Sequence, residues 1–168
     1  MTSHRDWVMV EFKRFVKDNN LTSGKLLDVG CYNTALQKQI TELGFEWVGV
    51  DRAPAEEGIS LGVMEQLPFA DNSFDIVFCC HAFEHSEHPI EALKEFKRVT
   101  KKWIYIATPF PCKHQILEAD SDHIFVLNPM QMERLFRYAG YKGGQNYVQW
   151  KDISLEQDYN IISIGVKE

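Results

Sequence analysis

Apolar residues recur along the chain with two periods, one helical and one extended, and the alternation between them outlines the fold. From His4 to Asn20, Val8, Phe12, Phe15 and Val16 share one face at helical spacing, which predicts a helix. Lys25 to Gly30 is a short apolar run closed by glycine. Leu36, Ile40 and Leu43 then return to helical spacing before Gly44, so strand, turn and helix follow in order. The pattern recurs with strands at Phe45 to Asp51 and Phe74 to Cys80, a helix whose inner face is Ile90, Leu93 and Phe96, and a strand at Lys102 to Thr108. A shorter strand is expected at Ile59 to Val63. Strands alternating with helices predict an α/β fold: a doubly wound, mostly parallel sheet with helices on both faces and right-handed crossovers.

After Pro109 the periodicity stops until a helix at Pro129 to Ala139. Gln145 to Lys151 and Tyr159 to Val166 then predict a C-terminal antiparallel hairpin on the sheet edge. No repeat or linker divides the chain. We expect one domain made of an N-terminal helix (1–22), a core (23–140) and terminal strands (141–168).

A length of 168 residues, with 45% hydrophobic and 25% charged residues, suits one ordinary globular core. A net charge of -6 argues against nucleic acid, since phosphate binding relies on clustered cations. The dense basic group, Lys97, Arg98, Lys101 and Lys102, reads as a solvated helix end. No apolar run approaches the roughly 18 residues of a membrane helix, and Arg5 and Asp6 stand where a signal peptide would be apolar, so a cytoplasmic protein is expected. Cys31, Cys79, Cys80 and Cys112 are too few and too irregular for a disulfide framework and are expected as thiols.

Ligands of open parallel sheets bind beyond the carboxyl ends of the strands, which directs attention to Asp28-Val-Gly-Cys-Tyr-Asn-Thr34 and to Asp51. Gly30 lets the backbone turn tightly against a ligand. Asp51, following it at the spacing of nucleotide-binding folds, can accept from both hydroxyls of a ribose, though it also reads as a solvated acid at a strand end. Tyr32, Asn33 and Thr34 replace the further glycines that a pyrophosphate-binding turn needs.

The run Met64 to Phe78, followed by Ala82-Phe-Glu-His85, Pro89 and Ala92 to Val99, resembles the type 11 methyltransferase domain shared by ubiquinone- and menaquinone-biosynthesis enzymes. Leu26-Leu-Asp-Val-Gly-Cys31, Val48-Gly-Val-Asp51, Ala107-Thr-Pro109 and Asp122-His-Ile-Phe125 with Pro129 extend the likeness over most of Lys25 to Gly140. The resemblance implies a Rossmann-like class I fold, S-adenosylmethionine as cofactor with S-adenosylhomocysteine as product, and a small or medium-sized acceptor. It implies that Asp28 and Gly30 line the methionine end of the cofactor, with Cys31 and Tyr32 in the same loop. Asp51, with Arg52 beside it, would hold the ribose, Met64 and Glu65 would flank the adenine, and the backbone of Cys80 and His81 would meet the methionine amino group.

The chain departs from the family pattern in three places. Tyr32 and Thr34 stand where glycines are usual, Val63 takes the place of the acid at the adenine edge, and Thr100-Lys-Lys-Trp103 replaces a Pro-Gly-Gly turn. A non-catalytic binding module that keeps the fold is therefore the alternative.

Methyl transfer from a sulfonium is an in-line displacement, for which a base is optional. If one is used, His81, His85, His114 and His123 are candidates by type, each also readable as structural. No metal is expected, because His81 and His85 lack a paired Cys-x-x-Cys and Cys79 and Cys80 point to opposite faces. Phe110 to Val126 leaves the ligand-binding edge and reads either as a mobile lid or as a rigid surface loop. Acceptor identity and oligomeric state are not encoded in any of these patterns.

Overall fold

The computed structural model describes residues 4–109, 122–141, 144–149 and 160–167, with backbone alone at 4–5 and 144–149. The chain runs α1 (His4–Asp18), β1 (Gly24–Val29), α2 (Gln37–Glu42), β2 (Phe45–Asp51), β3 (Ser60–Leu61) and β4 (Phe74–Cys80). A 3-10 turn (Phe83–His85), α3 (Pro89–Val99), β5 (Thr100–Pro109), α4 (Pro129–Tyr138), β6 (Gly144–Gln149) and β7 (Asn160–Val166) follow. Among the described residues the sheet has seven strands in the order β3-β2-β1-β4-β5-β7-β6. The first five are parallel, and β7 lies antiparallel between β5 and β6. The terminal hairpin expected from sequence therefore joins the sheet by its second strand, leaving β6 outermost.

Strand side chains alternate between two apolar layers, as the two-residue period of an extended backbone requires. Leu27, Val77, Cys79, Ile104, Ile106 and Ile161 pack with α3 and α4 through Leu93, Phe96, Met132 and Phe136. Their sequence neighbours Leu26, Ile76, Phe78, Tyr105 and Ile162 pack on the other face with α1 and α2 through Val8, Phe12, Phe15 and Ile40. Both faces are covered, which is why these strands read as continuous apolar runs. Among the described residues no helix is long and apolar enough to cross a membrane.

Local signals set the element ends. Pro89 and Pro129 occupy first-turn positions of α3 and α4, where a missing N–H costs nothing. Asn128 accepts from the Gln131 N–H, and the Gln131 side chain accepts from the Asn128 N–H, closing a capping box.

The absent Pro-Gly-Gly turn has a structural replacement. Helix α3 passes straight into β5 at Thr100, whose buried hydroxyl donates to the Trp103 carbonyl at 3.0 Å. The register against β4 shifts there, from Phe74 opposite Thr100 to Ile76 opposite Trp103, so a one-residue bulge sets Lys101 and Lys102 opposite Asp75 alone.

Candidate functional site

The order of the strands reverses direction between β1 and β4, since the chain moves outward through β2 and β3 and then returns to the other side of β1. Beyond the carboxyl ends of these strands lies a cleft of about 620 Å³, within the usual range for a small-molecule site. Gly30 and Tyr32 line it after β1, Asp51 and Arg52 after β2, Val63 to Glu65 after β3, and His81 and Ala82 after β4.

The turn after β1 is bonded to the end of β2. Gly30 donates its N–H to the Val50 carbonyl at 2.8 Å, and the Tyr32 carbonyl accepts from the Ala55 N–H at 2.8 Å. The Asp51 carboxylate closes the ring: Oδ2 accepts from the Tyr32 N–H and Oδ1 from the Ala53 N–H, both at 2.8 Å. Each oxygen keeps a further lone pair, so the carboxylate can still accept from a ligand carrying two adjacent hydroxyls. Gly30 adopts φ 73°, and a Cβ there would fall well inside contact distance of the Ala82 Cβ. Only glycine meets both demands.

Tyr32 also has a left-handed backbone, φ 58°. The turn thus keeps a glycine-like conformation although a tyrosine, 54% exposed, occupies the position. Thr34 donates from its N–H and its hydroxyl to Glu56 Oε2, at 3.0 and 2.6 Å. The hydroxyl first, and then the N–H, hold the Glu56 carboxyl below its usual range.

Not every residue predicted for the site reaches the cleft. Asp28 is buried and accepts from the Trp47 indole N–H at 3.0 Å, on the face covered by α1 and α2. The side chains of Cys31 and Cys80 are buried and neither residue is in the cleft lining, and the role expected of Cys80 belongs to its backbone. Met64 and Glu65 do line it, and Glu65 Oε1 accepts from the Ser86 hydroxyl at 2.5 Å. Of the histidine candidates, His81 and His85 line the cleft, the His123 ring lies 4.9 Å from that of His85, and His114 lies outside the described residues, as does Phe110 to Ser121 of the expected lid.

His81 holds a left-handed backbone, φ 51°, and donates its N–H to the Ala107 carbonyl at 2.9 Å. Glu84, in the 3-10 turn, is 1% exposed; its Oε1 lies 3.7 Å from His81 Nδ1 and 3.8 Å from His123 Nε2. The Glu84 carbonyl accepts from the Ile124 N–H at 3.0 Å, and Phe125 meets Phe83 edge to face at 5.6 Å, which fixes residues 122–125 against the turn. Reasoning from sequence did not single out Glu84 or the Ala53 N–H. The position of Glu84 between buried Phe83 and a histidine was the available signal.

A family model described as "Methyltransferase domain" matches residues 27–106. Residues 27–106 are therefore similar to a methyltransferase domain. The match runs from β1 into β5, so the matched stretch includes Gly30, Asp51, His81 and Glu84. "Probable methyltransferase ltbC" of Aspergillus luteorubrus is 31% identical over 116 residues, covering 55% of this chain and 40% of the relative. The tRNA U34 carboxymethyltransferase of Nautilia profundicola is 30% identical over 113 residues, covering 54% of this chain and 37% of the relative. The chain thus spans less than half the length of these curated relatives. The magnesium protoporphyrin IX methyltransferase of Synechocystis PCC 6803, solved with bound S-adenosylmethionine, superposes with a TM-score of 0.69 at 13% identity, covering 98% of this chain and 80% of that one. At that identity the likeness concerns the fold, which is the Rossmann-like fold of class I methyltransferases.

Proposed function

We propose that the chain binds S-adenosylmethionine in the cleft and transfers its methyl group to a small or medium-sized acceptor. The observation that carries this reading is the Asp51 carboxylate at the tip of β2, oriented by the Tyr32 and Ala53 N–H groups and facing a cleft at the strand-order reversal. In this reading Asp51 accepts from both ribose hydroxyls, Gly30 admits the backbone close to the methionine end, and Met64 and Val63 provide an apolar wall for the adenine. The cofactor supplies the activated methyl group. The protein contributes alignment and exclusion of water, which suffice for an in-line displacement.

A small acceptor is favoured over the RNA named for the Nautilia relative. The net charge is -6, and Arg98 and Lys101 of the basic group are held by Glu95, Asp71 and Asp75. Calorimetry with S-adenosylmethionine and S-adenosylhomocysteine tests the cofactor assignment. We expect one site per chain for each, and no heat of binding with folded protein would overturn it.

A second reading, a non-catalytic module with the same fold, draws on one observation: the Tyr32 side chain stands in the cleft lining where the family has glycine. Tyr32→Gly separates the two. Binding gained only in that variant would support the module, whereas wild-type binding that Tyr32→Gly leaves within a fewfold supports the enzyme.

A further inference from the structure

We propose that Glu84, His85 and His123 form a site for one divalent transition-metal ion in the wall of the cleft. Each offers one ligand atom, and the three atoms lie within 4.8 Å of one another. The site is made by tertiary structure: Glu84 and His85 come from the 3-10 turn after β4, and His123 from the segment that the Ile124 N–H ties to the Glu84 carbonyl. Two imidazoles and one carboxylate are a donor set suited to zinc, iron(II) or cobalt(II) rather than to magnesium or calcium.

Two observations indicate a ligand beyond an ordinary cluster of polar side chains. His85 Nδ1 lies 2.9 Å from the Asp122 carbonyl oxygen, which can only accept, so Nδ1 carries the proton and Nε2 presents a lone pair. That is the arrangement by which a backbone carbonyl orients a metal-binding imidazole. The second observation is spacing. The 3.8 Å between Glu84 Oε1 and His123 Nε2 is too long for a hydrogen bond between them. It does fit two ligands of one ion, which lie at most about 4.2 Å apart when each bond is about 2.1 Å. Since no pair is more than 4.8 Å apart, closure by at most about 0.6 Å brings every pair within that limit.

Three protein ligands leave positions for water or for an oxygen of the acceptor, and His85 and Asp122 place the site on the cleft. The metal site stands without the methyl-transfer reading. Its assignment to the acceptor side rests on that reading.

The test is titration of chelator-stripped protein with Co²⁺ and Zn²⁺, followed by calorimetry, Co²⁺ absorption and elemental analysis. We expect one ion per chain, with Zn²⁺ displacing Co²⁺, and binding weakened more than about tenfold in His85→Ala, in His123→Ala and in Glu84→Gln. His88→Ala, on the cleft wall outside the cluster, should leave the stoichiometry unchanged. Should Glu84→Gln not fold, His85→Ala carries the test, since its side chain is only partly buried. No stoichiometric ion on folded wild-type protein would overturn the proposal, as would binding that survives both histidine substitutions. Calorimetry with S-adenosylhomocysteine on metal-free protein keeps the two readings apart. Cofactor binding in a protein that never takes a metal sinks this inference alone, and metal binding without cofactor binding sinks the methyl-transfer reading alone.

Discussion

Gly30 and Tyr32 both hold left-handed backbone, but only Gly30 is also confined by a neighbour, the Ala82 methyl group. Gly30→Ala should therefore cost more than the roughly 1–2 kcal/mol of left-handed backbone strain alone. The double variant Gly30→Ala/Ala82→Gly should recover the part due to the clash. Urea midpoints of the three proteins measure this, and a double variant no more stable than the single one would show that the clash is not the cause. At Asp51 the carboxylate does two things, because it orients the turn and faces the cleft. Asp51→Asn keeps one acceptor oxygen, so it should weaken S-adenosylmethionine binding with a small change in stability. Asp51→Ala should lose the turn as well, leaving two N–H groups without their acceptor at about 1–3 kcal/mol. An unchanged dissociation constant in both variants would remove Asp51 from the ribose role. Gly30 and Asp51 could be picked out as candidates because they stand at strand ends, although the sequence alone left Asp51 equally readable as a solvated acid. Nothing in it revealed that Asp28 would bond to Trp47 instead of facing the cleft, since that contact joins two strands.

The connection before β4 depends on α3 at the scale of elements. Arg98 on that helix donates to the carbonyls of Leu67 and Phe69 and to Asp71, and pairs with Glu95 through two nitrogens. A cation read from sequence as part of a solvated helix end thus holds residues 67–71 in place, because the loop supplies acceptors that local sequence does not show. Arg98→Met should lower stability by about 1–3 kcal/mol, chiefly through the carbonyls left without a donor. Hydrogen exchange should speed up in residues 67–73 and not in α1; uniform acceleration would mean the effect is global. The helices themselves were readable, as the Pro129 start of α4 illustrates, because caps and first-turn prolines are local signals. The junction of α3 with β5 was not, because the bulge at Lys101 and Lys102 depends on pairing with Phe74 and Ile76.

At the scale of the whole molecule, acid stability should follow carboxylates that the fold holds ionised. The Arg98 side chain, outweighing desolvation, lowers the Glu95 carboxyl, while at Asp75 burial acts upward but is exceeded by the Lys25 N–H and by Lys101. Both folded values lie below the unfolded ones, so their stabilisation is complete above the ordinary carboxylate range, about pH 4, and is lost as pH falls through the folded values. Urea midpoints should therefore drop below about pH 4, and the drop should be shallower in Glu95→Gln. Equal slopes would exclude Glu95 as a contributor. The sequence by itself determined the order of strands and helices, the doubly wound class and the strand ends proposed to bind a ligand, because periodicity, caps and glycine turns act over a few residues. The insertion of β7 between β5 and β6, the burial of Asp28 and Cys80, and the meeting of Glu84 and His85 with His123 were decided only by tertiary structure. Each of these joins residues far apart in the chain, and contacts of that kind leave no local pattern to read.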